Sequence, residues 1–255
     1  MADHQFALEF TGLAHTKRPS KGRGTIPDSF MPNQPFFLRH LLYRNSLNMT
    51  TIILIVGQIR TGKSWLGLKL CEQYCKAKKI PFNATQQFGF KLDPFLEWSM
   101  NAMDNIYLLD EIGRSVPPSE WWSLQSKIFR NFIDTQGFRR NVLIMTLPNA
   151  KGLLNSVKTN VNYAIVTKYQ GYGLIFKQTT DAFTGKPYYF YLGGIKSDPP
   201  AKHTVYHYES EKKKQNDEWL MEDLGKLKEK KVDPLKKFQS EETAEFGSTP
   251  LKLSL

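Results

Sequence analysis

A chain of 255 residues has room for one large α/β domain with appendages, or for two small domains. Its 40% hydrophobic and 13% aromatic content is that of a water-soluble globular protein. The longest apolar runs, such as Ile52–Val56, fall far below the ~18 residues of a membrane helix. Two cysteines exclude a disulfide framework, and a net charge of +11 suits a polyphosphate substrate or a nucleic-acid partner.

Residues 1–48 read as an N-terminal extension. Asp3 and Glu9 interrupt its start, which lacks the basic and apolar segments of a secretory signal. The stretch Thr16-Lys-Arg-Pro-Ser-Lys-Gly-Arg-Gly24 is expected to be a mobile basic loop. Within Pro35-Phe-Phe-Leu-Arg-His-Leu-Leu-Tyr43, apolar Phe37, Leu38, Leu41 and Leu42 recur at helical spacing, so a short helix should dock there on the main domain. Met49 is an alternative start.

Residues 49–196 alternate short apolar runs with helical stretches, the pattern of a parallel sheet covered on both faces. Expected strands are Thr50–Val56, Ile106–Leu109, Val142–Leu147 and Val161–Thr167; expected helices are Lys63–Lys78, the region Pro94–Ala102 and Trp121–Gln136. Beyond Gly171, Leu174–Gln178 and Tyr188–Leu192 read as an antiparallel hairpin at the sheet edge. Ser197-Asp-Pro-Pro200 marks a boundary. In residues 197–255 a charged amphipathic helix is expected over Glu211–Lys231, with Leu220, Leu224 and Leu227 on one face beside Trp219, ending near Pro234. It should pack on the domain or on a neighbouring subunit, and the last fifteen residues should be disordered. The basic excess lies in the middle part: residues 51–201 carry 18 Lys/Arg against 10 Asp/Glu, whereas residues 202–255 carry 11 of each. Cys71 and Cys75 share one face of the first long helix, where buried thiols are the expected state.

Gly57-Gln-Ile-Arg-Thr-Gly-Lys-Ser64 matches G-x-x-x-x-G-K-[ST] without exception. It follows the strand Ile52-Ile-Leu-Ile-Val56 and opens a helix, the context that makes such a loop a phosphate cradle. Gly57 and Gly62 allow backbone N–H groups to turn inward, and the helix N-terminus adds its partial positive charge. Lys63 reaches the β- and γ-phosphates and Ser64 offers a hydroxyl to Mg²⁺; Gln58, Ile59, Arg60, Thr61 and Trp65 complete the cofactor-binding segment for ATP.

Asn105-Ile-Tyr-Leu-Leu-Asp-Glu111 is the second signal: an apolar strand ending in Asp-Glu places Asp110 at the sheet's C-terminal edge, where ligands of open α/β sheets bind. Asp110 is the expected anchor of the hydrated Mg²⁺. Glu111 is the expected base for an attacking water. The strand before Thr146-Leu-Pro-Asn149 ends at the same edge, so Thr146 or Asn149 is a candidate γ-phosphate sensor, with a plain strand-end cap as the alternative for Thr146. Arg114, Arg130, Arg139 and Arg140 are closely spaced. Arg139 or Arg140 is the candidate for stabilising γ-phosphoryl charge from another subunit, against solvated surface residues. Trp121, Trp122, Tyr169 and Tyr172 either stack on bases or pack in the core and interfaces.

The order of these parts, continued by Gly137-Phe-Arg-Arg-Asn-Val-Leu-Ile-Met-Thr146, Leu153-Leu-Asn-Ser-Val-Lys158 and Asn162-Tyr-Ala-Ile-Val166, resembles the FtsK–HerA ATPases. These include viral genome-packaging ATPases and the related Zot-type ATPases of filamentous phages. The resemblance covers roughly residues 50–195 and implies a RecA-like P-loop fold, a homo-oligomeric ring, and ATP hydrolysis used to move DNA or assemble a virion. Those families commonly end the third strand in Thr-Gln; here Leu147 follows Thr146. The small size implies a viral or plasmid protein of the host-cell cytoplasm, with capsid or virion association open. Rival readings are an assembly ATPase acting on protein partners, a nucleotide-dependent DNA-binding switch, and a small-molecule kinase, which Asp110-Glu111 disfavours.

Overall fold

The structure is a computed structural model that describes residues 16–17, 30–31, 33–115, 124–150, 155–181, 184 and 187–245. Contacts divide the chain into two units, residues 1–207 and 208–255. The first unit is α/β.

Among the described residues its eight strands are β1 (Thr16–Lys17), β2 (Thr51–Val56), β3 (Phe88–Gly89), β4 (Ile106–Leu109), β5 (Val142–Leu147), β6 (Tyr163–Tyr169), β7 (Tyr172–Thr180) and β8 (Pro187–Lys196). They form one sheet in the order β1-β8-β7-β6-β2-β5-β4-β3. Pairing is parallel from β3 through β4, β5 and β2 to β6, and antiparallel for β6–β7 and β7–β8. Every residue of β2, β4 and β5 is buried, which is why these central strands read as unbroken β-branched and aliphatic runs rather than alternating ones.

The expected helices on both faces are present. On one face Ile52, Leu54, Leu143 and Met145 share a core with Phe95, Phe129 and Phe132, from α4 (Leu92–Asn101) and α6 (Leu124–Thr135). On the other, α2 (Lys63–Lys78) lies so close that a Cβ at Gly67 would stand 2.9 Å from Leu108 Cδ1. Helix α1 (Phe36–Ser46) docks on that side as its periodicity predicts, with Phe37, Leu38, Leu41 and Leu42 buried and Phe37 edge-on to Tyr163 at 5.3 Å.

Several expectations need correction. Thr16 and Lys17 belong to a strand rather than a mobile loop: they pair in parallel with Tyr189 and Phe190, beyond the antiparallel pair β7–β8 that was expected at this edge of the sheet. Helix α4 begins at Leu92, two residues before Pro94, because proline is tolerated in a first helical turn. Strand β6 begins at Tyr163, since Val161 is still turning back on Lys158 and Asn162 spends its side chain on the Ile52 N–H. The four-residue α3 (Ala84–Gln87), α5 (Ile112–Ser115) and α7 (Asn155–Lys158), like β3, are too short for a periodic signal. The helix expected over 121–136 is described from Leu124 and tightens into a 3₁₀ turn, Gln136–Arg139; Trp121 and Trp122, and residues 18–24, lie outside the described residues.

The C-terminal helix is longer than expected. Helix α8 runs Lys202–Glu245, beginning nine residues before Glu211 and continuing past Pro234 into the tail expected to be disordered. Pro234 removes one backbone bond, and the flanking Lys, Glu, Gln and Leu are strong helix formers that carry the helix across it. Among the described residues no helix is long and apolar enough to cross a membrane.

Candidate functional site

The loop between β2 and α2 sits at the C-terminal edge of the parallel sheet. Gly57 leaves β2 against the neighbouring strand: a Cβ there would stand 2.0 Å from Thr167 Oγ1 and 2.7 Å from Thr61 Oγ1, so no larger residue fits. The Thr61 hydroxyl donates to the Gln58 carbonyl at 2.8 Å and lies 2.7 Å from the Thr167 hydroxyl, which is itself 3.2 Å from the Val56 carbonyl. Two threonines from different elements thus clasp the base of the loop. Gln58, Ile59 and Arg60 form its exposed crest. Arg60 and Gly62 have φ of 67° and 83°, a left-handed backbone that Gly62 adopts without strain.

Helix α2 starts from Gly62 with no side chain capping its end. A helix N-terminus entered from a glycine, in a loop that curls over it, is the geometry of an anion cradle. Lys63 Nζ donates to the Gly57 and Gln58 carbonyls, both at 2.8 Å, which holds its ammonium over the loop. Half-buried Trp65 follows on the same turn.

Asp110 lies just past β4, fully buried, with its N–H on the Gly89 carbonyl of β3 at 2.9 Å. Ser64 Oγ donates to Asp110 Oδ1 at 2.8 Å, and Thr146 Oγ1 donates to the same oxygen at 2.5 Å. The Glu111 N–H in turn donates to Thr146 Oγ1 at 2.9 Å. Thr146, fully buried, is therefore tied to both acidic positions at once. Glu111, half-buried, has a φ of 55°, an unusual left-handed backbone for a glutamate, and this N–H bond helps to hold it. Strand β5 thereby fixes the turn that carries both acids.

The donor set fits a small hard cation. One hydroxyl and one carboxylate, both oxygen ligands, are what Mg²⁺ takes from a protein when phosphate oxygens and water supply the rest. Ser64 and Asp110 would hold it.

The arginines lie elsewhere. Arg140 pairs with Asp104 at 2.8 Å and donates to Asn48 Oδ1 at 3.2 Å, while Arg139 donates to the Met100 carbonyl and covers the Phe138 ring. Both precede Val142 at the N-terminal edge of β5, and Val142 itself stands about 13 Å of strand from Thr146. Their side chains are engaged at that edge, away from the 57–64 loop. Arg114 and Asn149 are exposed near the acidic turn, and Arg130 is half-buried on α6. Tyr169, exposed, stacks on Tyr172 with centroids 5.2 Å apart. Cys71 and Cys75 are free and buried, and burial pushes both thiols up in pKa.

Sequence reasoning missed Thr167 and Gln170. Thr167 closes the cradle from β6, and Gln170 packs on the cradle's second glycine, its Cα 3.1 Å from where a Gly62 Cβ would be. Their one sequence signal is a polar residue ending a buried strand, the same signal that singled out Thr146.

No protein-family model matches this chain, and a search of curated proteins finds no relative.

Proposed function

We propose that this chain is a RecA-like P-loop ATPase that binds ATP with Mg²⁺ in the 57–64 cradle and hydrolyses it to move or package DNA. The observation that carries the reading is the Ser64–Asp110 contact of 2.8 Å, made across two strands with β5 between them. That contact joins the 57–64 loop to the acidic turn at one sheet edge, which supports the reading. The succession β3-β4-β5-β2-β6, with one strand between the loop strand and the acid strand, supports a RecA-like core.

In this reading Lys63 swings from the loop carbonyls to the β- and γ-phosphate oxygens. Ser64 and Asp110 hold the ion, and Thr146 keeps the Asp110 carboxylate aimed. Glu111 accepts the proton of the water that attacks the γ-phosphorus. Held by Ser64 and Asp110, Mg²⁺ would supply charge neutralisation to the phosphate oxygens. An arginine contribution from Arg139 or Arg140 requires a second subunit, which fits a ring in which the N-terminal sheet edge of one copy faces the next copy's cradle. The basic excess of residues 51–201 supports a polyanionic track.

The test is ATPase rate with and without double-stranded DNA, alongside oligomer mass in ATP. Wild type should be stimulated many-fold and form a ring-sized species. Lys63→Ala should lose nucleotide affinity, while Glu111→Gln should keep affinity and lose turnover. Absence of ATP binding in the wild type overturns the reading. ATPase activity with no DNA effect and no DNA binding at low salt removes the DNA motor and leaves an assembly ATPase acting on proteins.

A further inference from the structure

A cavity of about 220 Å³ adjoins the first turn of α2, bounded by Trp65, the Gln170-Gly171 turn and the segment Ser197-Asp198-Pro199. It lies next to the phosphate cradle, since Trp65 directly follows Ser64 and Gln170 packs on Gly62. Its volume is below the roughly 300–1,000 Å³ that houses a whole drug-sized ligand, and it suits one ring system.

The walls are built and not incidental. The Gly171 carbonyl accepts from the Ser197 N–H at 2.9 Å, and Gly171 has a φ of 81°. A Cβ at Gly171 would stand 2.9 Å from the Ser197 carbonyl oxygen, so the turn and the 197–199 strap are in tight backbone contact. The strap's far end is pinned to α2, where the Ala201 N–H donates to Glu72 Oε1 at 2.9 Å. Prolines 199 and 200 stiffen the span between these two anchors. The lining thus includes Trp65, whose indole is a flat aromatic surface, together with Gln170, Ser197 and Asp198, which carry an amide, a hydroxyl and a carboxylate.

We infer that this cavity is the nucleobase subsite, with the base stacked on Trp65 under the 197–199 strap and its polar edge facing Gln170 and Asp198. The inference rests on the ATPase reading above and deepens it. Stacking strength rises with ring area, so purine nucleotides are preferred over pyrimidine ones. Carboxylate and amide at the rim offer an acceptor for a purine amino group and a donor for a ring nitrogen.

Isothermal titration of the full chain with Mg-ATP, Mg-CTP and Mg-tripolyphosphate tests this, since tripolyphosphate fills the cradle and has no base. Wild type should bind ATP more tightly than CTP, and both more tightly than tripolyphosphate. Trp65→Ala should weaken ATP roughly tenfold, narrow the gap between ATP and CTP, and leave tripolyphosphate unchanged. Trp65→Phe should keep most of the ATP affinity and reports on folding. Equal loss for ATP and tripolyphosphate in Trp65→Ala, with Trp65→Phe normal, or no loss for either, overturns the subsite while Lys63-dependent tripolyphosphate binding keeps the cradle intact. If wild type binds no tripolyphosphate and Lys63→Ala changes nothing, the cradle itself fails and the subsite with it.

Discussion

Replacing Thr146 with valine keeps the shape of a fully buried side chain and deletes one hydroxyl. That hydroxyl makes a 2.5 Å bond to Asp110 Oδ1 and accepts the Glu111 N–H at 2.9 Å. A hydrogen bond to a charged group contributes about 1.5–3 kcal/mol and a neutral one about 0.5–1.5 kcal/mol. Thr146→Val should therefore cost about 2–4 kcal/mol, a large share of the about 5–15 kcal/mol that holds a domain folded. With a slope of about 2 kcal/mol per molar urea, the unfolding midpoint should fall by roughly 1–2 M. Because Thr146 holds both Asp110 and Glu111, turnover should fall as well. Thr146→Ser keeps the hydroxyl, loses one methyl worth about 1 kcal/mol, and should restore most of both properties. A valine variant within about 0.5 kcal/mol of wild type, with normal turnover, would refute the idea that β5 positions the two acids.

Gly57→Ala drives a methyl to 2.0 Å from Thr167 Oγ1, so the loop or β6 has to shift. Overpacking of this kind costs about 1–3 kcal/mol, read as a lower melting temperature together with at least tenfold weaker ATP binding; unchanged values would show that the threonine clasp yields freely. His40 is held at a pKa of about 4, down from 6.5, by burial first and then by Lys177 and Arg39, with its Nδ1 3.4 Å from Tyr163 Oη. The unfolded chain takes up that proton first. The native state is therefore fully favoured above pH 6.5 and loses up to about 3 kcal/mol as pH falls toward 4. His40→Phe removes that titration, and urea midpoints across this range should decline less steeply than in wild type; parallel declines would refute it.

Much of the sheet was legible because its central strands are buried on both faces. Ile106–Leu109 and Val142–Leu147 match their expected bounds, and Lys63–Lys78 matches from the glycine that opens it to its last residue. The boundary errors fall where a neighbour decides the ending. Asn162 gives its side chain to Ile52 and shortens β6, while β1 and β3, at two residues each, exist only through pairing with β8 and β4. The site divides the same way. Lys63, Ser64 and Asp110 came from local motifs, whereas Thr167, Gln170 and the 197–199 strap belong to segments with no motif. Thr146 was legible as a polar strand end, but its bond to Asp110 was not.

Sequence alone singled out the parts proposed to carry chemistry: a glycine loop between a buried strand and a helix, and an acidic pair closing another apolar strand. Those are local properties, set by backbone freedom, burial and helix polarity over a few residues. Tertiary structure decided what these parts meet. Ser64 and Asp110 are 46 residues apart, and Thr61 and Thr167 are 106 apart, and only the strand order brings either pair within hydrogen-bond reach. The same order places Arg139 and Arg140 at the opposite edge of the sheet. Contacts of that kind depend on which strands become neighbours, a choice made by the burial of whole faces, and no short window of residues records it.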